Sequence, residues 1–301
     1  DVLIYPYYTT NGENLTILSV VNTTGNGKAV KVRFLESQNS QEVLDFNLYL
    51  SAYDVWAAAV VKQDDDDGRT GVAGVAVVDT SCTVPTIEEQ ADKFQGFFQF
   101  QYATDGGTDD LSRANEGYVE MIEMGTIEAD SPVEVMTTHV DGRPEDCMVH
   151  TALWDPSVEN EDYEDYEGIW IDTPEFGLDA PSGGLFGGGA VINPFDGSMF
   201  AYDARALEDF ATEIDHTNPG STSPSLGTGV GAALEAYIYN TATQMVESFE
   251  YDDSADAVSA LFMHDAMMNE YNIEAAAGAN TEWVVNFPTK RSYVNGVVGE
   301  A

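Results

Sequence analysis

Basic residues are scarce in this chain, which has 11 lysines and arginines against 53 aspartates and glutamates among 301 residues, a formal net charge of −42. A surface with this charge repels nucleic acid and anionic lipid, so both are poor partners. The same repulsion destabilises a compact fold unless ions screen the carboxylates or bind to them. The charge therefore favours a salt-rich medium, and it leaves open whether divalent cations bind at defined sites.

Long apolar runs and cysteines are also scarce. No run approaches the roughly 18 residues of a membrane span. Cys82 and Cys147 fit no zinc or CxxC spacing, and in a secreted protein they would form one disulfide, with two buried free thiols as the alternative. The chain begins at Asp1, which a cleaved secretion signal would explain, as would trimming. We predict an extracellular or cell-surface protein.

Recognisable catalytic motifs are missing. The histidines show no HExxH spacing, and no GxSxG sequence nominates a nucleophilic serine. The glycine-rich segment 183–189 lacks the Lys-Ser/Thr of a phosphate loop, so we interpret it as a tight turn or a strand packed closely against another backbone. Enzymatic activity is therefore not predicted.

What the chain does have is strand patterning. It is 43% hydrophobic and 11% aromatic, enough to build a core. Residues 1–80 contain about six strand patterns with turn signals every 8–12 residues, which is typical of a β-sandwich. In residues 29–34 basic and apolar side chains alternate, which predicts a half-buried strand whose Lys31 and Arg33 face water.

After Cys82 the pattern changes to an acidic, loop-rich α+β character. We predict a strand over 117–126, a short helix over 132–139 and a hairpin around the turn at 194–197. Two longer helices and one late strand are also predicted, over 204–214, 256–271 and 283–287.

Six segments together carry a resemblance to a known group of proteins: 30–36, 43–46, 53–56, 116–120, 183–187 and 283–291. The chain resembles secreted bacterial cell-surface proteins that begin with an immunoglobulin-like β-sandwich. The resemblance covers most of the chain; it implies secretion and an immunoglobulin-like start, and it supplies no catalytic residue. We expect a mainly β fold with an immunoglobulin-like β-sandwich in residues 1–80 and an acidic α+β domain or elaboration in residues 81–301.

Three acidic clusters are candidate calcium sites, because Ca²⁺ takes six to eight oxygen ligands. Their members include Asp64, Asp65, Asp66 and Asp67; Asp105, Asp109 and Asp110; and Asp162 and Asp165 within the segment 155–179. Solvated acidic loops are the alternative in each case, and no EF-hand spacing is present. Aromatic residues interleaved with the third cluster, among them Trp154 and Trp170, would also suit stacking on a sugar ring.

The first strand suggests how copies of the chain would join. Val2, Leu3, Ile4 and Tyr5 form an apolar terminal strand, which we expect to add to the sheet edge of a neighbouring copy. The function predicted is a secreted or cell-surface structural protein that self-assembles into a filament or surface layer and is stabilised by divalent cations. The alternative is an extracellular carbohydrate-binding or adhesion module, or a secreted hydrolase.

Overall fold

The fold is known from a computed structural model. It describes residues 1–65, 68–87, 93–99, 105–158, 163–264, 266–274, 276 and 281–293. The strands, in chain order, are β1 (Val2–Thr9), β2 (Leu15–Asn22), β3 (Lys28–Glu36), β4 (Glu42–Leu50), β5 (Val55–Gln63), β6 (Val72–Val77), β7 (Cys82–Val84), β8 (Phe94–Gly96), β9 (Glu116–Ile127), β10 (Leu178–Asp179), β11 (Leu185–Asn193), β12 (Ser198–Asp203), β13 (Arg205–Leu207), β14 (Glu235–Asn240) and β15 (Met245–Glu250). The α-helices are short: α1 (Pro132–Thr137), α2 (Met148–Trp154), α3 (Ile169–Asp172), α4 (Ser254–Phe262) and α5 (Lys290–Tyr293).

Two antiparallel sheets form the body of the described part of the chain. The seven-stranded sheet has the order β13-β1-β9-β3-β4-β7, with β10 pairing the end of β9. The six-stranded sheet has the order β12-β11-β2-β5-β6-β8. Strands β14 and β15 form a separate hairpin. Strands from both sides of residue 80 therefore lie in each sheet, and residues 1–80 complete neither sheet alone.

The core lies between these two sheets because alternate side chains of each sheet point toward the other. On β5, Trp56, Ala58 and Val60 are buried in it, and from the seven-stranded sheet Phe34 and Phe46 meet them. The rings of Phe46 and Trp56 lie 5.8 Å apart. A fold that is mainly β is confirmed, whereas the immunoglobulin-like form stays a prediction.

The glycine-rich segment is a strand in close contact with a neighbouring strand, as predicted. A Cβ on Gly187 would lie 2.1 Å from Tyr5 Oη and 2.6 Å from the backbone oxygen of Ser19. Tyr5 Oη occupies this space and donates a hydrogen bond of 2.8 Å to that same oxygen. Glycine at 187 therefore lets a buried tyrosine tie the two sheets together.

Three predicted elements after residue 200 are wrong. Residues 205–207 form β13, because Leu207 and Arg205 pair with Val2 and Ile4 of the first strand instead of winding into a helix. The helix predicted over 256–271 ends at Phe262. Its buried residues lie before that point, so the later methionines have no core to pack against. Residues 283–287 form no strand and are mostly exposed.

The disulfide is present. Cys82 on β7 is bonded to Cys147, which precedes α2, and their Cα atoms lie 5.1 Å apart. The bond therefore attaches the α2 region to the edge of the seven-stranded sheet.

Candidate functional site

The outer face of the six-stranded sheet is apolar although it points away from the core. We call this surface the apolar face; it consists of the outward side chains of four neighbouring strands. They are Leu15, Ile17, Ser19 and Val21 of β2; Val55, Ala57, Ala59 and Val61 of β5; Phe186, Gly188, Ala190 and Ile192 of β11; and Met199, Ala201 and Asp203 of β12. Only Asp203, on the edge strand, carries a charge.

Strand register lines these side chains up in rows across the sheet. One row pairs Phe186 with Val21 and Val21 with Val55. Another aligns the small residues Ala201 and Ala190 with Ile17, which in turn faces Ala59 of β5. Each row thus continues from strand to strand without a charged interruption until the edge.

Several of the large residues on the apolar face are well exposed: Phe186 at 57%, Val55 at 49%, Ile17 at 40% and Met199 at 67%. Four strands spaced ~4.8 Å apart and seven residues long present on the order of 400 Å². The largest apolar patch on a monomeric protein is typically about 300–600 Å² and is often functional. The apolar face is therefore the surface of this fold with the clearest capacity to bind another molecule.

The outer face of the seven-stranded sheet, in contrast, is charged and is covered by other parts of the chain. Strand β3 is buried along its whole length, and its basic side chains form a row of ion pairs. Lys28 Nζ lies 2.7 Å from Glu123, and Lys31 Nζ lies 2.9 Å from Asp45. The prediction of a solvent-exposed basic face on this strand is wrong, because later parts of the chain cover it.

The cover over this row makes direct contacts with it. The backbone oxygen of Asn218 accepts a hydrogen bond from Lys31 Nζ, and the amide of Gly220 donates to Asp45. Ser182 Oγ accepts from Lys28 Nζ at 2.7 Å. The chain therefore covers the charged face with its own segments, whereas none of its described segments covers the apolar face of the other sheet.

Arg33 holds two carboxylates at the centre of the row. Its Nε donates to Glu42 at 2.7 Å and its Nη1 donates to Glu120 at 2.6 Å. Burial raises the pKa of Glu42 and of Glu120, and the Arg33 charge opposes that rise. Burial also lowers the pKa of Lys31, with Asp45 opposing it. At each of these groups the ion pair opposes the effect of burial on the charged form.

Two of the first cluster's predicted calcium ligands already have protein partners. Asp65 lies 2.5 Å from Arg69 Nη2 in an ion pair, and it accepts a hydrogen bond from the Arg69 amide. Asp64 accepts a hydrogen bond of 2.9 Å from the amide of Gly71. Both aspartates therefore bond to groups of their own loop. The other two members, Asp66 and Asp67, lie outside the described residues.

Two carboxylates of the second cluster also have protein partners. Asp105 forms a buried ion pair with Arg113, which also pairs with Glu36, and the Arg113 hydrogen bond holds the pKa of Asp105 well below its usual range. Asp110 caps a 3-10 helix by accepting from the Ser112 amide at 2.8 Å. Asp109 lies beside it at the rim of a surface cavity.

In the third cluster Asp165 is exposed in a 3-10 helix, and Asp162 lies outside the described residues. Within the described ranges no three carboxylate, imidazole or thiol groups converge to hold a metal ion. Calcium binding by these clusters therefore stays a prediction.

The aromatic residues of the acidic segment point inward. Trp154 and Trp170 are buried, so neither can stack on a sugar. Both pack around Tyr49, whose hydroxyl accepts a hydrogen bond from Trp154 Nε1 and bonds His216 Nε2 at 2.9 Å. Burial lowers the pKa of His216 to about 4 and that of His150 to about 3, so both rings are neutral at pH 7. This cluster is a second core next to the disulfide.

A serine, a histidine and an aspartate meet at the end of β4, but they do not form a catalytic triad. Ser51 Oγ lies 2.8 Å from His139 Nδ1, and Asp54 Oδ2 lies 3.5 Å from the same nitrogen. A triad needs the serine on one ring nitrogen and the carboxylate on the other. Asp54 also accepts from the Ser51 amide at 3.0 Å, which fits a role in fixing the turn.

A groove of about 720 Å³ lies between the end of α4 and residues 284–293. Its walls are largely apolar, with Phe262, Met263, Met267 and Phe287 among them. The described residues that line it include no carboxylate, so it lacks the carboxylate pair of a glycoside hydrolase.

The predicted assembly strand lies inside a sheet. Val2, Leu3 and Ile4 pair with β13 on one side and with β9 on the other, and Tyr5 is buried with them. From Val2 to Ile4 the strand therefore offers no free backbone edge to a neighbour, and beyond Ile4 its register with β13 ends. Removing β1 would detach β13 from the seven-stranded sheet, because β1 connects β13 to β9.

Comparisons with protein-family models, with curated proteins and with solved structures found nothing that matches this chain. No helix in the described part of the chain combines the length and the apolar character of a bilayer crossing. The function of this chain must therefore be inferred from its own surfaces.

Sequence reasoning missed the apolar face, although a signal for it is present. Residues 55–61 are apolar at every position, a pattern that usually indicates a strand buried on both sides. In β5 the inward positions are buried and the outward ones are not. In a chain with 53 acidic residues, an uncharged outward row is the informative feature.

Proposed function

We propose that this protein is a secreted or cell-surface structural protein that assembles with copies of itself through the apolar face. The observation that carries the proposal is the contrast between the two sheets. The charged outer face of one is covered by the chain, whereas the apolar outer face of the other has no cover among the residues that the structure describes. An apolar sheet face gains stability when a second layer removes it from water.

A second copy of the chain is the occupant that the charge favours. With a net charge of −42, most contacts between two copies would bring carboxylates together, at a cost that falls only with screening. Two apolar faces meet without that cost. Stacked sheets lie about 10 Å apart, and the small residues of the middle rows leave space for the partner's larger side chains.

The disulfide supports the secreted part of the proposal, since such bonds persist in oxidising compartments. The carboxylate excess supports the part concerning cations. Carboxylates on neighbouring copies would lie close together around any apolar contact, and divalent cations would offset their repulsion.

The proposal is tested by placing a charge in the middle of the apolar face. Ile17→Glu is expected to weaken self-association at least ~100-fold, because stacking would then bury an unpaired carboxylate. Sedimentation velocity over a concentration series would measure the effect, with the melting temperature as a check on the fold. Val135→Glu is the matched control, since Val135 is 62% exposed on α1, away from the face.

The wild type and Val135→Glu should associate alike as concentration rises. A wild type that stays monomeric at every concentration and salt level would contradict the proposal. So would an Ile17→Glu variant that associates as the wild type does.

Association should also respond to ions in a defined direction. Raising NaCl from 0.1 to 1 M shortens the Debye length from about 10 Å to about 3 Å, so the association constant should increase. At fixed ionic strength, calcium should raise the melting temperature relative to a chelator, with magnesium as the comparison. If calcium and chelator give the same melting temperature and the same oligomeric state, the cation part of the proposal is wrong.

A further inference from the structure

Strand β12 has a free edge at the border of the apolar face. Among the described residues it pairs only with β11, over six positions and without a register shift. Its sequence, Ser198 to Asp203, contains no lysine, proline or bulge; of the devices that usually protect an edge strand from pairing with another chain, it has only the charge of Asp203 at its end. Its side chains are mostly exposed.

One hydrogen bond fixes which backbone groups face outward. The amide of Ala204 donates to the backbone oxygen of Gly187 at 2.9 Å, just beyond the register pair Gly188–Asp203. Hydrogen-bonded and non-hydrogen-bonded pairs alternate along an antiparallel ladder. Even-numbered residues of β12 therefore direct their N–H and C=O groups toward β11. Met199, Ala201 and Asp203 direct theirs to the free side.

We propose that two copies of this chain join edge to edge through β12, antiparallel, about a two-fold axis at Ala201. This inference rests on the proposed function, because it names a specific contact between the assembling copies. The axis stands perpendicular to the sheet, so the apolar faces of both copies point the same way. Ala201 then faces Ala201 of the second copy, and Met199 faces Asp203 of the second copy.

This register is the one that the strand's own groups favour. It pairs all three outward-directed residues, which gives up to six backbone hydrogen bonds; an axis at Phe200 would pair only two of them. On the other face of the sheet, Phe200 would lie opposite Tyr202 of the second copy, and aromatic cross-strand pairs stabilise antiparallel strands. The two Asp203 carboxylates would stay about 14 Å apart along the strands.

Edge pairing also extends the apolar face. The two six-stranded sheets would become continuous, and their apolar faces would form a single surface on the order of 800 Å², with one Asp203 carboxylate at each end of the seam. Stacking of two such surfaces reaches the size of a standard protein interface, which a single apolar face does not. The edge contact thus enlarges the area available for the face contact.

Replacing Ala201, the residue at the axis, with proline tests the edge contact without disturbing the fold of the subunit. Ala201→Pro removes an N–H that points away from β11, which an edge strand tolerates, so the melting temperature of the monomer should stay close to that of the wild type. Edge pairing should weaken at least ~10-fold, since the central pair of hydrogen bonds is lost. Ala201→Thr is the control, because threonine keeps the N–H and favours strands.

Cysteine cross-linking tests the register. Ala201→Cys should give a symmetric disulfide-linked dimer, because Cα atoms of a hydrogen-bonded pair lie about 5.5 Å apart. Met199→Cys should not cross-link, since two such residues would lie about 14 Å apart. Cross-linking of Phe200→Cys in place of Ala201→Cys would overturn the register. Equal association of the Ala201→Pro and Ala201→Thr variants would overturn the edge contact.

Different experimental results would contradict the edge contact and the proposed function. If Ile17→Glu prevents association and Ala201→Pro does not, copies meet through their faces alone and the edge inference is wrong. If the wild type never associates, the proposed function is wrong, and no variant of β12 is needed to show it.

Discussion

Replacing Arg33 with methionine is expected to destabilise the folded protein by about 3–5 kcal/mol at pH 7. Arg33 is almost fully buried and is hydrogen-bonded to both Glu42 and Glu120. Methionine fills similar space but removes the cation that is hydrogen-bonded to both buried carboxylates, and leaves only the more distant charges of Lys31 and Arg291 to oppose their burial. Urea-induced unfolding at low protein concentration would measure the loss.

The pH dependence of this loss of stability shows whether the two glutamates cause it. Burial raises the pKa of both glutamates in the folded state, and removing Arg33 removes the charge that opposes this rise. An acid whose pKa is higher in the folded state stabilises that state below its unfolded pKa and loses the effect as the pH rises through its folded pKa. The difference in unfolding free energy between wild type and Arg33→Met should therefore shrink as the pH falls toward about 4.

The matched control removes all three charges. Arg33→Met combined with Glu42→Gln and Glu120→Gln should recover most of the lost stability, because uncompensated charge is the main cost. A triple variant as unstable as the single one, or a loss that does not vary with pH, would show that Arg33 acts through packing alone.

Opening the disulfide should cost nearly as much. The bond joins residues 65 positions apart, and closing a loop of that length in the unfolded chain stabilises the fold by about 4 kcal/mol in the chain-entropy model. Cys82→Ala with Cys147→Ala removes the bond without placing a hydroxyl among the buried residues around it. Guanidinium unfolding would give the free energy.

Wild type unfolded in the presence of a reductant should match the double-alanine variant, which separates loss of the bond from loss of the sulfur atoms. A change below about 1 kcal/mol in both experiments would mean that the unfolded chain is already restrained without the bond.

The sequence predicted individual strands well and their neighbours poorly. Strands β2, β4 and β6 follow from period-2 patterns and turn residues, which are local properties. The position of β1 between β9 and β13 depends on pairing across most of the chain. No local pattern specifies that pairing, so the sequence predicts instead that the first strand adds to the sheet edge of a neighbouring copy.

The same difference between local patterns and long-range contacts applies to the candidate site. The alternation in β3 predicts a strand with two different faces, but it does not specify what covers the polar face. Lys31 is buried because residues near Asn218 fold over it. The apolar face is the opposite case, since its side chains have the composition of a core and no segment of the described chain covers them.

The placement of β1 has a consequence for the order of folding. Val2 can complete its pairing only after Ile122 and Leu207 have been synthesised. The first of the described strands in chain order is therefore among the last to be fully paired. Non-local strand pairing of this kind folds in milliseconds to seconds, so the seven-stranded sheet closes late in folding. For a chain exported as we propose, this delay would give an export machinery time to engage it before its sheets close.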